Sequence, residues 1–296
     1  MAVIGFIGLG HMGGPMSANL VKAGHVVQGF DLIPAALEVA DRHGVITAGS
    51  VTEAVSGADA VITMLPGGKQ VLDCYDDVLA AAKPGTLLID SSTVDVADAR
   101  QAHERAAEAG FGSLDAPVSG GTAGAEAGTL TFMVGGSEAD FQRAEPLLAP
   151  MARKVIHCGG PGNGQVTKMC NNLILGASMI AVSEAFVLGE RLGLSHQALY
   201  DVASISTGQC WALTTNCPVP GLVETSRANH DYQPGFAAAL MLKDLKLATS
   251  AAEQSGTDTA IGRLAAELYQ RFNDEGGGGF DFGAIINSVR DHSDQR

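Results

Sequence analysis

The chain has 296 residues, 46% hydrophobic and 17% charged, enough apolar content to bury a core and enough length for two modest domains. A formal net charge of −14 with no basic cluster argues against DNA or RNA as partner, because Lys and Arg must neutralise phosphates there. Five scattered cysteines, with no C-x-x-C pair and no histidine at a ligand spacing, read as buried thiols in a reducing compartment and imply no metal site.

The first predicted strand, Val3-Ile4-Gly5-Phe6-Ile7, begins too early to leave room for a leader. Outside one Gly-, Ser- and Glu-broken helix, no apolar run approaches the ~20 residues of a membrane span. The expectation is a cytoplasmic protein with no membrane partner. The strand runs into Gly8-Leu9-Gly10-His11-Met12-Gly13 and then a helix from Pro15 to Ala23. A second strand, Val26 to Phe30, ends at Asp31, 18 residues beyond Gly13. Strand, glycines, helix and a second strand closed by an acid form a dinucleotide-binding unit of the Rossmann type. Gly8 allows the tight turn, Gly10 the approach of a pyrophosphate, and Gly13 the close packing of helix on strand, while the helix N-terminus offers its N–H groups to phosphate. Asp31 is expected to accept the adenosine ribose hydroxyls. No arginine at 32 to 35 is there to take a 2′-phosphate, so NAD is expected over NADP.

Strands are predicted from Asp59 to Leu65, ending at Pro66-Gly67-Gly68, and from Thr86 to Asp90, ending at Ser91-Ser92-Thr93. Their carboxyl ends should border the cofactor crevice. That places Leu65 and Pro66 beside the nicotinamide, Gln70 as a polar contact and Thr93 near the nicotinamide ribose. Thr93 reads equally well as N-cap of a helix from Val94 to Gly110. In Leu114-Asp115-Ala116-Pro117-Val118-Ser119-Gly120-Gly121, the paired glycines let successive N–H groups converge as an anion nest suited to a carboxylate, and Ser119 adds a hydroxyl. Further strands are expected over Gly128 to Gly136 and Lys154 to His157, with a hinge at Gly159 to Gly162.

From Gly164 to about Leu192 the apolar residues recur at helical spacing with no proline, which predicts one long helix. Gln165, Lys168 and Asn172 form a polar stripe on it, expected to face a cleft. Beyond it only helices are predicted: Ser195 to Ile205, Leu240 to Gln254, Asp258 to Asn273 and, after a flexible Gly276 to Gly279 spacer, Phe282 to Val289. Trp211 to Gly221 is an irregular segment that could wall the substrate site. Lys243 reads either as a cofactor or cleft contact or as a surface charge. The fold class is therefore α/β: a doubly wound sheet domain over 1–162, then an all-α domain over 163–296 that begins with the long linking helix.

A dinucleotide site, a carboxylate nest and a cleft lysine suit hydride transfer between a nicotinamide and a hydroxy acid. The hydroxyl proton must leave as the carbonyl forms, and Lys168 can take it, since burial and a cationic nicotinamide both favour a neutral amine. Asn172, one turn on, could hold the hydroxyl or carboxylate. Ser119, Gly120 and Gly121 would seat the carboxylate.

With these residues the chain resembles the β-hydroxyacid dehydrogenases over nearly its whole length. The likeness rests on Gly5 to Gly13, Asp115 to Gly121, Gly164 to Asn172 and Leu242-Lys243-Asp244-Leu245, with Cys217-Pro218-Val219-Pro220-Gly221 and Tyr232 to Phe236 more selective. Thr122 and Gln70 stand where relatives vary. The resemblance implies oxidation of 3-hydroxyisobutyrate to methylmalonate semialdehyde with NAD in valine breakdown. It also implies Lys168 as the catalytic residue and a homo-oligomer, dimer or tetramer, with the long helix in subunit contacts. The alternatives are a relative such as a tartronate semialdehyde reductase and, in another class, a dinucleotide-binding module without catalysis. Apolar residues around Trp211 and Phe236 favour a methyl-bearing substrate.

Overall fold

The structure, a computed structural model, describes residues 1–294. The chain divides into two compact units, Met1–Lys168 and Met169–Arg296. The division falls inside the long helix Asn163–Arg191, whose first turns, through Lys168, belong with the sheet.

The first unit holds nine strands: β1 (Val3–Ile7), β2 (Val26–Phe30), β3 (Ile46–Thr47), β4 (Ala60–Thr63), β5 (Leu87–Asp90), β6 (Gly112–Asp115), β7 (Val118–Ser119), β8 (Leu130–Gly136) and β9 (Ala152–His157). The sheet order is β3-β2-β1-β4-β5-β6-β8-β7, with β9 paired to β8. The first six strands are parallel in the 3-2-1-4-5-6 order of a doubly wound sheet. β8 runs antiparallel to β6 and β7 and parallel to β9. Both faces are covered, as a parallel sheet requires. Ile4, Phe6, Ile62 and Ile89 pack with Met16 and Leu20 on one side; Ile7, Val61 and Leu88 pack with Tyr75, Val78 and Ala106 on the other. The period-2 alternation of each strand divides these residues between the two cores.

The second unit contains no strand among the described residues. Its core gathers Met179, Ile180, Phe186, Leu213, Met241, Leu245, Tyr269 and Phe282. The long helix has the length and apolarity of a membrane span, yet Met179, Ile180, Val182, Phe186 and Val187 pack in this core. Asp281 ties the irregular 211–236 segment in place: its carboxylate accepts from Asn216 Nδ2 at 3.0 Å and from the N–H groups of Gly283, Gly235 and Phe236 at 3.1, 3.1 and 3.2 Å.

Several expectations need correction. The first helix starts at Gly13, ahead of Pro15. Thr93 is not a helix cap; Asp95 is, accepting from Ala97 N–H at 2.8 Å ahead of the helix Val96–Glu108. The paired glycines stand between a short strand, Val118–Ser119, and a helix, Gly121–Ala127. Gly277–Gly279 is a 3-10 turn and not a free spacer, for a Cβ on buried Gly277 would lie 2.3 Å from the Phe272 ring. Cys170 is exposed and Cys74, Cys158 and Cys210 are half-buried, which leaves Cys217 as the only buried thiol; all five are free.

Candidate active site

The carboxyl ends of β1, β4 and β5 carry the first group of predicted residues. A Cβ on Gly13 would lie 1.9 Å from Gly8 O, so only glycine lets the helix Gly13–Lys22 sit this close to the turn. A Cβ on Gly10 would meet no protein atom within 4 Å, so the backbone there lies open. Gly10 and His11 are exposed and Met12 half-buried at this mouth. The helices beginning at Val51, Val96 and Glu138 are capped by Ser50, Asp95 and Ser137, whereas the Gly13 helix has no side-chain cap and no acid in its first turn. Gly14 N–H donates to Gly10 O at 2.9 Å and Pro15 has no N–H, so the end of this helix meets an anion with Gly13 and with no competing side chain. Asp31 accepts from Leu9 N–H at 2.7 Å and from Ile33 N–H at 2.8 Å. These bonds commit the Leu9 amide to the acid rather than to phosphate, and a carboxylate with about four acceptor sites retains capacity for hydroxyls. The residues present fit a dinucleotide.

Leu65 N–H donates to Ser92 Oγ at 2.8 Å, and Ser92 Oγ donates to Asp90 at 2.6 Å, which joins the ends of β4 and β5. Pro66 and Gln70 are exposed and Thr93 is half-buried. Gln165 does not face a cleft, contrary to expectation. It is fully buried; Nε2 donates to Ser92 O at 2.8 Å and Oε1 accepts from Val94 N–H at 3.2 Å, so its amide clamps the backbone on both sides of Thr93.

Ser119 ends β7, half-buried, and leads into Gly120 at φ 139° and Gly121 at φ 62°. Both values lie where side chains are strained, and a Cβ on Gly120 would also come within 3.0 Å of Leu130. Lys168, at the end of this unit, is 6% exposed. In the second unit, Asn172 is 1% exposed; its Nδ2 donates to Asp244 Oδ2 at 2.5 Å and its Oδ1 accepts from Asn171 at 2.9 Å. One amide hydrogen of Asn172 is left for another acceptor. Lys243, beside Asp244 on the helix Ala238–Ser255, is half-buried.

Sequence reasoning passed over Asp244, Asp115 and Gln165 as supporting residues. The signal for Asp244 was a carboxylate on the same helical face as Met241, Leu245 and Ala248, since buried acids need donors.

Residues 3–160 match the family described as the NAD binding domain of 6-phosphogluconate dehydrogenase. Residues 162–289 match the family described as NAD-binding of NADP-dependent 3-hydroxyisobutyrate dehydrogenase. The chain is 55% identical over 294 residues to a probable 3-hydroxyisobutyrate dehydrogenase of Mycobacterium tuberculosis, covering 99% of this chain and 100% of that one. It is 46% identical to an NAD-dependent L-serine dehydrogenase of Pseudomonas aeruginosa, over 96% and 97% of the two chains. Among solved structures, a Mycobacterium tuberculosis 3-hydroxyisobutyrate dehydrogenase with L-serine superposes at a TM-score of 0.95 with 56% identity, covering 98% and 99%. Fold, cradle and likeness together define an oxidoreductase that works with a nicotinamide dinucleotide. The chain belongs to the β-hydroxyacid dehydrogenase family.

Proposed function

We propose that the chain oxidises 3-hydroxyisobutyrate to methylmalonate semialdehyde with NAD, in valine breakdown. The observation that carries this reading is Lys168, a lysine 6% exposed in the first turns of the long helix, since burial makes a cation costly unless it serves a bond or a reaction. The bound dinucleotide supplies the hydride acceptor. Lys168 Nζ takes the hydroxyl proton as the C–H pair leaves, and returns a proton to the carbonyl oxygen in the reverse direction. Ser119 Oγ and the N–H groups of Gly120 and Gly121 hold the substrate carboxylate, which fixes the carbinol carbon. Asn172, aligned by Asp244, donates its remaining amide hydrogen to the substrate. Gly8 to Gly13 seat the pyrophosphate and Asp31 the adenosine ribose, with NAD preferred because apolar Leu32 and Ile33 follow the acid. Leu65, Pro66, Gln70 and Thr93 line the nicotinamide side, and Lys243 serves the cofactor.

The second reading is L-serine, favoured by the name of the Pseudomonas relative and by the L-serine that accompanies the Mycobacterium structure. The two substrates differ at C2, where one carries a methyl and the other an ammonium. We further propose a cytoplasmic homo-oligomer, dimer or tetramer. Five free thiols support the compartment, and exposed Ile174 and Leu188 on the long helix support self-association. Initial rates of NADH formation with 3-hydroxyisobutyrate, L-serine, glycerate and 3-hydroxypropionate test the substrate. The highest kcat/KM is expected for 3-hydroxyisobutyrate; a higher value for L-serine would replace it with the second reading.

A further inference from the structure

Asp115 ends β6 and is 2% exposed. Its Oδ1 accepts from Gly162 N–H at 2.8 Å and meets His103 Nε2 at 2.9 Å, while Oδ2 accepts from Gln165 N–H at 2.9 Å. Gly162 immediately precedes the long helix and Gln165 lies in its first turn, so the carboxylate satisfies two N–H groups that have no acceptor within the helix. A negative charge there also suits the helix dipole. The carboxylate only accepts, so His103 Nε2 carries the hydrogen, and Ser113 Oγ meets Nδ1 at 2.7 Å from the other side of the ring. His103 and Ser113 are 9% and 8% exposed.

The helices beginning at Val51, Val96 and Glu138 are capped by the residue just ahead of each, but the long helix takes its cap from the end of a strand. Contact is close enough that a Cβ on Gly164 would lie 2.3 Å from Met133 O and 2.6 Å from Asp115 O. The sheet thereby fixes the direction and rotation of the first turn, and Lys168 stands one turn beyond Gln165.

We propose that Asp115, oriented by His103 and Ser113, is a positioning residue for the proton transfer: it sets the rotation of the long helix and so the place of Lys168 Nζ. This rests on the reading of Lys168 as the acid/base group. Displacement of a reacting group by about 1 Å lowers turnover by on the order of 100-fold. The test compares Asp115→Asn, His103→Leu, His103→Gln and Lys168→Ala, with kcat taken per NADH-binding site from fluorescence titration. Asp115→Asn and His103→Leu are expected to lower kcat ~10- to 100-fold while KM changes less than ~3-fold. The primary isotope effect with substrate deuterated at the carbinol carbon should rise, because hydride transfer becomes limiting. His103→Gln, which keeps a donor toward Asp115, should restore most of kcat. Should Asp115→Asn not fold, His103→Leu carries the test with the carboxylate in place. Wild-type kcat and isotope effect in the folded variants would overturn the positioning role, whatever happens to stability. Lys168→Ala separates the two ideas: full turnover there refutes the lysine and, with it, what is positioned, whereas lost turnover there beside normal Asp115 and His103 variants refutes positioning alone.

Discussion

The side-chain amide of Asn172 donates to Oδ2 of Asp244 at 2.5 Å, with both residues buried in the second unit. Asn172→Ala removes a donor from a buried carboxylate, and the expected loss of stability is ~1–3 kcal/mol, read from the urea midpoint. Asp244→Asn keeps an acceptor for the amide and should lose less. Turnover should fall in both variants, and more in Asn172→Ala. Equal stability of Asn172→Ala and wild type would contradict the pairing.

Asp31 couples the first turn to the choice of cofactor. It accepts from Leu9 and Ile33 N–H, and in the proposed reading its charge opposes a 2′-phosphate on the cofactor. Asp31→Ala is expected to lower the ratio of kcat/KM with NAD to kcat/KM with NADP by about 10-fold or more, given ~1.5–3 kcal/mol for a hydrogen bond to a charged group. An unchanged ratio would place the discrimination elsewhere.

Much of this was legible in the residues, for identifiable reasons. The packing of the Gly13 helix on the Gly8 turn was legible because a close backbone approach demands glycine at a fixed spacing. The long helix was legible from periodicity, as expected over Gly164 to about Leu192 and found over Asn163–Arg191. Pairing was not. That β8 runs back antiparallel along β6 and β7 depends on long-range partners that leave no periodic mark. Gln165 was misread because a stripe on a helix fixes a face and not what covers it. Its amide meets the Ser92–Val94 backbone, over seventy residues earlier in the chain. Asp115 lay within a recognised motif, but its bonds to Gly162 and Gln165 follow only from the sheet order.

Burial raises the Asp90 carboxyl above the usual carboxylate range, against hydrogen bonds from Ser92 and Thr63, and Oδ2 has no protein partner. The folded state thus holds this proton more tightly than the unfolded chain. Its contribution is complete below the unfolded value of about 3.9 and is lost as pH rises through the raised folded value. Wild type minus Asp90→Asn stability, from urea unfolding at a series of pH values from about 3 to about 8, should become less favourable to wild type as pH rises. A constant difference would contradict a raised Asp90.

Ile174, Ala181, Ala185 and Leu188 are exposed along one side of the long helix within the second unit, with Ile174 at 65% and Leu188 at 60% exposure. In the proposed homo-oligomer this stripe serves as a self-association face. Leu188→Glu is expected to shift the protein to a smaller species in sedimentation velocity without loss of helix signal. Sedimentation identical to wild type would remove this face from the account.

The most direct measurement is NADH formation from 3-hydroxyisobutyrate by wild type and Lys168→Ala, beside NAD binding to both. Turnover is expected to fall by on the order of 100- to 10,000-fold, the range of general acid–base catalysis, with NAD affinity retained. Substantial turnover by Lys168→Ala, with NAD bound as in wild type, would contradict the central role given to this lysine.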